Sequence, residues 1–184
     1  MTRKPKGVVA AGHTLTAEAA AEILQDGGNA FDACVAGVLM SFVAEPAFSS
    51  PGGAGFLMAR DQRGKTVLYD FFAETPLERK PERDISFFPI HADFGPAKQE
   101  FHIGVGSSAA PGAVPGLFAI LSDLCRLPMK RLAEPAVRAA RAGFPLSEFQ
   151  AYLFTVIAPI LTASRGIARI FAPDGTLLKA GEPF

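Results

Sequence analysis

The hydrophobic positions of this chain change period several times. In "AEAAAEILQD" (17–26) apolar residues recur at helical spacing, with Thr14 or Thr16 placed to cap and Gly27-Gly28 to terminate the helix. Asn29 is placed to cap a second helix, with Asp32 three positions on as its acidic partner. That helix, "ACVAGVLMSFVA" (33–44), has almost no polar face and is predicted to be buried, and Pro46 closes it. The two β-prone runs "GFLMARD" and "TVLYDFF" flank "QRG", which predicts a hairpin. Charge and proline dominate residues 73–95, predicting a surface excursion kept ordered by Phe87, Phe88 and Phe94. "EFHIGVGSS" reads as a strand. "AAPGAVPGLFAILSDLCRLP" reads as a loop feeding a helix with Pro115 in its first turn. Helical patterns follow in "MKRLAEPAVRAARAGF" and "SEFQAYLFTVIAPILTAS". The final "FAPDGTLLKAGEPF" opens with a turn and offers its last residues no partner element after them, so the chain reads as stopping within a structure. Helices in blocks and strands close together in sequence predict α+β with antiparallel pairing rather than a doubly wound parallel sheet.

At 184 residues the chain is long enough for one domain with a real core. Lysine plus arginine and aspartate plus glutamate number 18 each, so no bulk field draws it to nucleic acid or to an anionic membrane. The longest apolar run covers about half of the ~20 residues a membrane span needs. The apolar stretch after the basic start is far too short for a signal peptide, which places the chain, as written, in the cytoplasm. Cys34 and Cys125 lie far apart inside apolar segments without zinc or redox spacing, and read as buried free thiols.

Candidate chemistry is sparse. "SSPGGAGF" is glycine-rich, but it runs from helix to strand, the reverse of a phosphate cradle, and lacks both Gly-Lys-Ser/Thr and GxGxxG. Its glycines fit either a tight turn with positive φ or close packing, or the lining of a pocket built from other segments. His13, His91 and His102 are mutually remote in sequence, so each is assigned a structural role, and no metal site or cofactor is expected. Ser49-Ser50 and Ser107-Ser108 lie outside any nucleophile motif. Asp70 reads as a hydrogen-bond acceptor at a strand end, and Glu74 is open. On an extended strand, adjacent Phe71 and Phe72 point to opposite faces.

The ordered stretches "GVVAAGHTLTAEAAAEILQDGGNAFDACVAG", "EPAFSSPGGAGFLMARD", "TVLYDFFAETP", "GSSAAPGAVPGLFAI" and "EPAVRAARAGFPLSE" resemble the N-terminal part of the large subunit of γ-glutamyltranspeptidases, within the N-terminal nucleophile hydrolase superfamily. The resemblance implies that residues 1–184 are one incomplete part of an αββα sandwich. It also implies a proenzyme whose autocleavage exposes a threonine that is nucleophile and, through its amine, base. Such enzymes move a γ-glutamyl group from glutathione-like donors to water or an amine. Where the family has Asp-Phe-Arg-Glu, whose arginine clamps the donor α-carboxylate, this chain has Asp70-Phe71-Phe72-Ala73. Phe72 and Glu74 are therefore the candidate donor-pocket residues, with Phe72 alternatively a packing residue. The family's catalytic threonine segment lies downstream of Phe184, and neither Thr155 nor Thr162 sits in a matching context. The resemblance thus implies a chain without catalytic residues, inactive alone and completed by a partner chain. Two further readings stay open: a free-standing module binding through "SSPGGAG" and Phe71-Phe72, and a part of a related acylase with a less polar donor.

Overall fold

The computed structural model describes residues 7–184, which divide into two compact units. The first comprises the chain up to Glu74 together with Ala110–Ala142, and the second Thr75–Ala109 together with Gly143–Phe184.

In the first unit, α1 (Thr14–Gln25) and α2 (Ala30–Ala44) are joined by a turn that explains "GGNAFD". Gly27 adopts φ +97°, a conformation that costs only glycine little. A Cβ on Gly28 would lie 2.7 Å from the Ile23 side chain and 3.1 Å from Asp32 Cβ. Asn29 then caps α2, its side chain accepting from the N–H groups of Phe31 and Asp32, while Asp32 accepts from Asn29 N–H. The α1 cap is His13, whose Nδ1 accepts from Leu15 N–H. Thr16, expected as an alternative cap, is buried and donates to Glu45 at 2.6 Å.

The predicted hairpin is β1 (Gly55–Arg60) and β2 (Thr66–Phe71), antiparallel, with Phe56 opposite Asp70 and Met58 opposite Leu68. One face of it, carrying Leu57, Tyr69 and Phe71, packs on the core of Ile23, Val35, Ala36, Leu117, Ile120 and Leu132. That core draws on α1, α2, α3 (Ala113–Leu124) and α4 (Met129–Ala142), with α2 touching each of the other three helices. Burying side chains of this size stabilises by about 1.5–3 kcal/mol apiece. α4 is tied to α1 by Arg131, which pairs with Glu22 at 2.6 Å and with Asp26, and by Arg138, which also pairs with Glu22.

The second unit holds β3 (Phe88–Asp93) and β4 (Lys98–Ile103), a second antiparallel hairpin. β4 was expected; β3 lies inside residues 73–95, the segment read as a surface excursion, and no strand was assigned there from the sequence. The pattern "SEFQAYLFTVIAPILTAS" forms α5 (Glu148–Val156) and α6 (Ala158–Leu161), and α7 (Arg165–Phe171) follows it. The final residues pair with a segment that precedes them: Phe184 and Phe144 exchange backbone hydrogen bonds, and Leu146 N–H donates to Glu182. Phe184 also joins an aromatic cluster with Phe144, Phe154 and Phe171, ring centroids 5.1 to 5.8 Å apart. Among the described residues no helix is long and apolar enough to cross a membrane.

Candidate functional site

The glycine-rich loop ends against the start of α3. Gly53 C=O accepts from the N–H groups of Gly112 and Ala113, so the loop satisfies two donors at that helix start with its own backbone. None of Gly52, Gly53 and Gly55 has positive φ, so of the two turn roles expected for them, close approach is the one present. A Cβ on Gly55 would stand 2.8 Å from the Phe71 ring, one on Gly112 2.2 Å from Phe71 O, and one on Gly116 2.3 Å from Phe71 Cγ. Three glycines from "SSPGGAGF" and "PGAVPG" thus make the seat of one aromatic residue.

That seat fixes the neighbouring side chains. Phe71 points inward, and Phe72, one residue past the strand, points outward with 57% of its surface exposed. Its ring stacks on Phe56, centroids 5.3 Å apart and planes 15° from parallel. Asp70 Oδ1 accepts from Phe72 N–H at 3.0 Å, the strand-end acceptor role expected of it, and this bond turns the backbone out of the strand. Glu74 is held by backbone only, exchanging both hydrogen bonds with Ala110. Its exposed carboxylate has no hydrogen-bond or ion-pair partner among the described residues. Phe72 and Glu74 therefore stand two residues apart on a segment pinned at Asp70 and Ala110, an apolar ring and an unengaged carboxylate. Phe56 was not singled out from the sequence, although period-two alternation from Phe56 to Met58 carries both residues to the exposed face.

The serines of the loop offer no activated nucleophile. Ser49 Oγ lies 2.9 Å from Ser41 Oγ, and the Ser41 hydroxyl bonds Val38 O, so a hydroxyl rather than a base adjoins Ser49. Ser107 donates to Gly104 O. On the second hairpin His91 and His102 both face Glu100, at 3.6 and 3.7 Å, and His102 stacks on Phe87. Among the described residues no three His, Cys, Asp or Glu side chains are grouped to hold a metal ion.

One deeply buried polar hub supports the region. Asp32 is fully buried, and its Oδ1 accepts from Arg126 and Leu127 N–H while Oδ2 accepts from Asn29 N–H. Asn29 Nδ2 also donates to Leu124 O, so the α1–α2 junction clamps the end of α3. Burial, reinforced by Asp32, pushes the Cys125 thiol up to about 12. Cys34, expected to be buried, has an exposed surface, although its surroundings still raise its pKa by desolvation. Burial and the Asp123 carboxylate, which accepts the Tyr69 hydroxyl, raise the Tyr69 pKa.

The model of the family described as Gamma-glutamyltranspeptidase matches residues 16–184. Glutathione hydrolase 2 of Arabidopsis thaliana is 32% identical over 86% of this chain and 26% of its own length. Acylase ACY 1 proenzyme of Pseudomonas sp. (strain V22) is 30% identical over 96% of this chain and 32% of its own length. Among solved structures, Helicobacter pylori gamma-glutamyltranspeptidase superposes with a TM-score of 0.81 at 24% identity, covering 100% of this chain and 52% of that one. The chain thus spans between a quarter and a third of the length of these curated relatives, and about half of the solved chain.

Proposed function

This chain belongs to the γ-glutamyltranspeptidase family, with part of that family's fold, and we propose that it is the N-terminal part of the large subunit of an autoprocessing acyl-transferring hydrolase. The threonine nucleophile then comes from polypeptide outside residues 1–184, in a partner chain or a further segment. A threonine of that kind attacks the donor's acyl carbon with its hydroxyl while its free amine takes the proton. Residues 1–184 supply one wall of the donor pocket through Phe72 and Glu74.

The observation that carries the reading is the outward Phe72 ring, stacked on Phe56 at the position where the resemblance places a carboxylate-clamping arginine. A phenyl ring offers no fork of N–H donors, so a donor α-carboxylate would lose its charge-assisted pair. The stacked pair instead supplies an apolar surface to an acyl chain without that group. The similarity to an acylase proenzyme supports the same preference. Glu74 is available to the donor's amino group, or to the amine acceptor, because no other group among the described residues engages its carboxylate.

The test uses γ-glutamyl and butyryl p-nitroanilides, of which the butyryl donor lacks both the α-amino and the α-carboxylate group. Residues 1–184 alone turn over neither, and any turnover by the purified chain overturns the external nucleophile. Co-expressed with its threonine-bearing segment, the enzyme favours the butyryl donor. Phe72→Arg then raises kcat/KM for the γ-glutamyl donor about tenfold or more, the worth of a charge-assisted hydrogen bond. A Phe72→Arg variant that leaves the donor ratio unchanged removes Phe72 from the pocket.

A further inference from the structure

The first unit contains a cavity of about 600 Å³ walled by the N-terminal turn of α2, the β1–β2 turn and the end of α3. Three arginines line it, Arg60 and Arg63 from the hairpin and Arg126 from the segment after α3. All three are exposed, and none of their guanidinium groups has an ion-pair or hydrogen-bond partner among the described residues. This contrasts with Arg131 and Arg138 of the same unit, each of which is paired with carboxylates. Two carboxylates share the cavity wall, and both are occupied. Asp61 Oδ1 accepts from the N–H groups of Arg63 and Lys65 within its own turn, and Asp123 Oδ2 accepts from the Tyr69 hydroxyl. Three guanidinium groups against two carboxylates leave the cavity wall net positive.

The frame around these cations is fixed before any ligand arrives. Asp32 binds the Arg126 N–H, so that residue's backbone is anchored to a fully buried carboxylate. Arg60 sits at the end of the paired strand, opposite Thr66. Arg63 is set in the turn by Asp61. Phe31, Leu57 and Met58 give the same cavity an apolar wall. Guanidinium forks match the paired oxygens of phosphate and carboxylate groups, and an apolar wall adjoining them suits an amphipathic anion.

We propose that this cavity is a binding site for a small organic oxyanion, a phosphate monoester or carboxylate with an apolar body. Arg60, Arg63 and Arg126 take the anion, and Phe31, Leu57 and Met58 take the body.

The experiment titrates the full 184-residue chain, isotopically labelled, with phenyl phosphate, benzoate and inorganic phosphate while amide shifts are followed by NMR. At ionic strength near 20 mM, phenyl phosphate or benzoate binds with a Kd of about 1 mM or tighter, weakening several-fold at about 150 mM salt. The shifts concentrate at residues 29–31, 60–63 and 123–126. The stronger of the two organic probes identifies the head group. Inorganic phosphate binds more weakly than phenyl phosphate because it leaves the apolar wall unused. Arg63→Gln and Arg126→Gln, exposed and without ion pairs, keep the fold and each raise Kd about fivefold or more. Arg165→Gln, outside the cavity, leaves Kd unchanged. Absence of binding by both organic probes at about 10 mM, or an unchanged Kd in the Arg60→Gln/Arg63→Gln/Arg126→Gln variant, overturns the proposal. Equal affinity for inorganic and phenyl phosphate overturns the apolar part of it.

Discussion

Asp32 is the residue on which most of the first unit's polar order depends, because one buried carboxylate answers donors from three positions of the chain. Replacing it by alanine leaves the Asn29, Arg126 and Leu127 N–H groups, each in a part-buried bond, without their acceptor, and an orphan that stays away from water costs about 1–3 kcal/mol. Asp32→Ala should therefore lower unfolding free energy by about 3 kcal/mol or more in urea titration, with Asp32→Asn less damaging because its amide oxygen still accepts. A loss below about 1 kcal/mol for the alanine variant removes the hub from this account. The sequence indicated half of this role, since Asn29 and Asp32 are visible as a capping pair from their spacing alone. The bonds to Arg126 and Leu127 cross more than ninety residues, and no local pattern encodes them. Phe72 was legible as a departure from a family pattern, but its stacking partner Phe56 was not, because the pairing register that joins them belongs to two strands together.

Elements were legible where the reason for them is local. The α1–α2 junction, the first hairpin and the Pro115-led helix each carry their own caps, turns or period. β3 was hidden because Pro89 lies inside it and charge dominates the preceding stretch, yet a two-stranded ribbon tolerates proline where the ladder needs no N–H. α7 is only 7 residues long, too short to establish a period. The glycine-rich loop shows the same division. Its composition announced a turn or a lining, while its function as a seat for Phe71 and a backbone cap for α3 depends on α3 arriving from 60 residues downstream. That role makes its glycines unequal. Gly112→Ala drives a Cβ to 2.2 Å from a backbone carbonyl, whereas Gly52→Ala meets nothing closer than 3.8 Å. Thermal denaturation should show the Gly112 variant destabilised by about 2 kcal/mol or more and the Gly52 variant within about 1 kcal/mol of the parent. Equal effects contradict the seat.

At the scale of the molecule, α4 is held to α1 by charge as well as by the core. Burial pushes the Glu22 carboxyl up, but the hydrogen bonds and charges of Arg131 and Arg138 pull it down further, leaving it below the ordinary 4.5. A carboxylate with a depressed native pKa contributes stability that is complete above the unfolded value and is lost as pH falls through the folded one. Urea midpoints should therefore decline as pH falls below about 4.5, and Arg138→Gln should flatten that decline. An identical pH profile in the variant excludes the Glu22 network as its source. Taken alone, the sequence determined the balanced charge, the α+β class, most helices and the first hairpin, since these follow from composition, local periodicity and caps written into neighbouring residues. The family followed from the order of several motifs, of which "GGNAFD" has a local capping reason while the glycines of "SSPGGAG" and "PGAVPG" find theirs only against remote segments. Tertiary structure alone decided the rest. It set Phe72 against Phe56, bound Asp32 to the end of α3 and, among the described residues, left the Glu74 carboxylate unengaged and gathered three unpaired arginines around one cavity. All of these depend on which remote segments the buried core brings together, and side-chain packing between distant residues leaves no periodic trace in the chain.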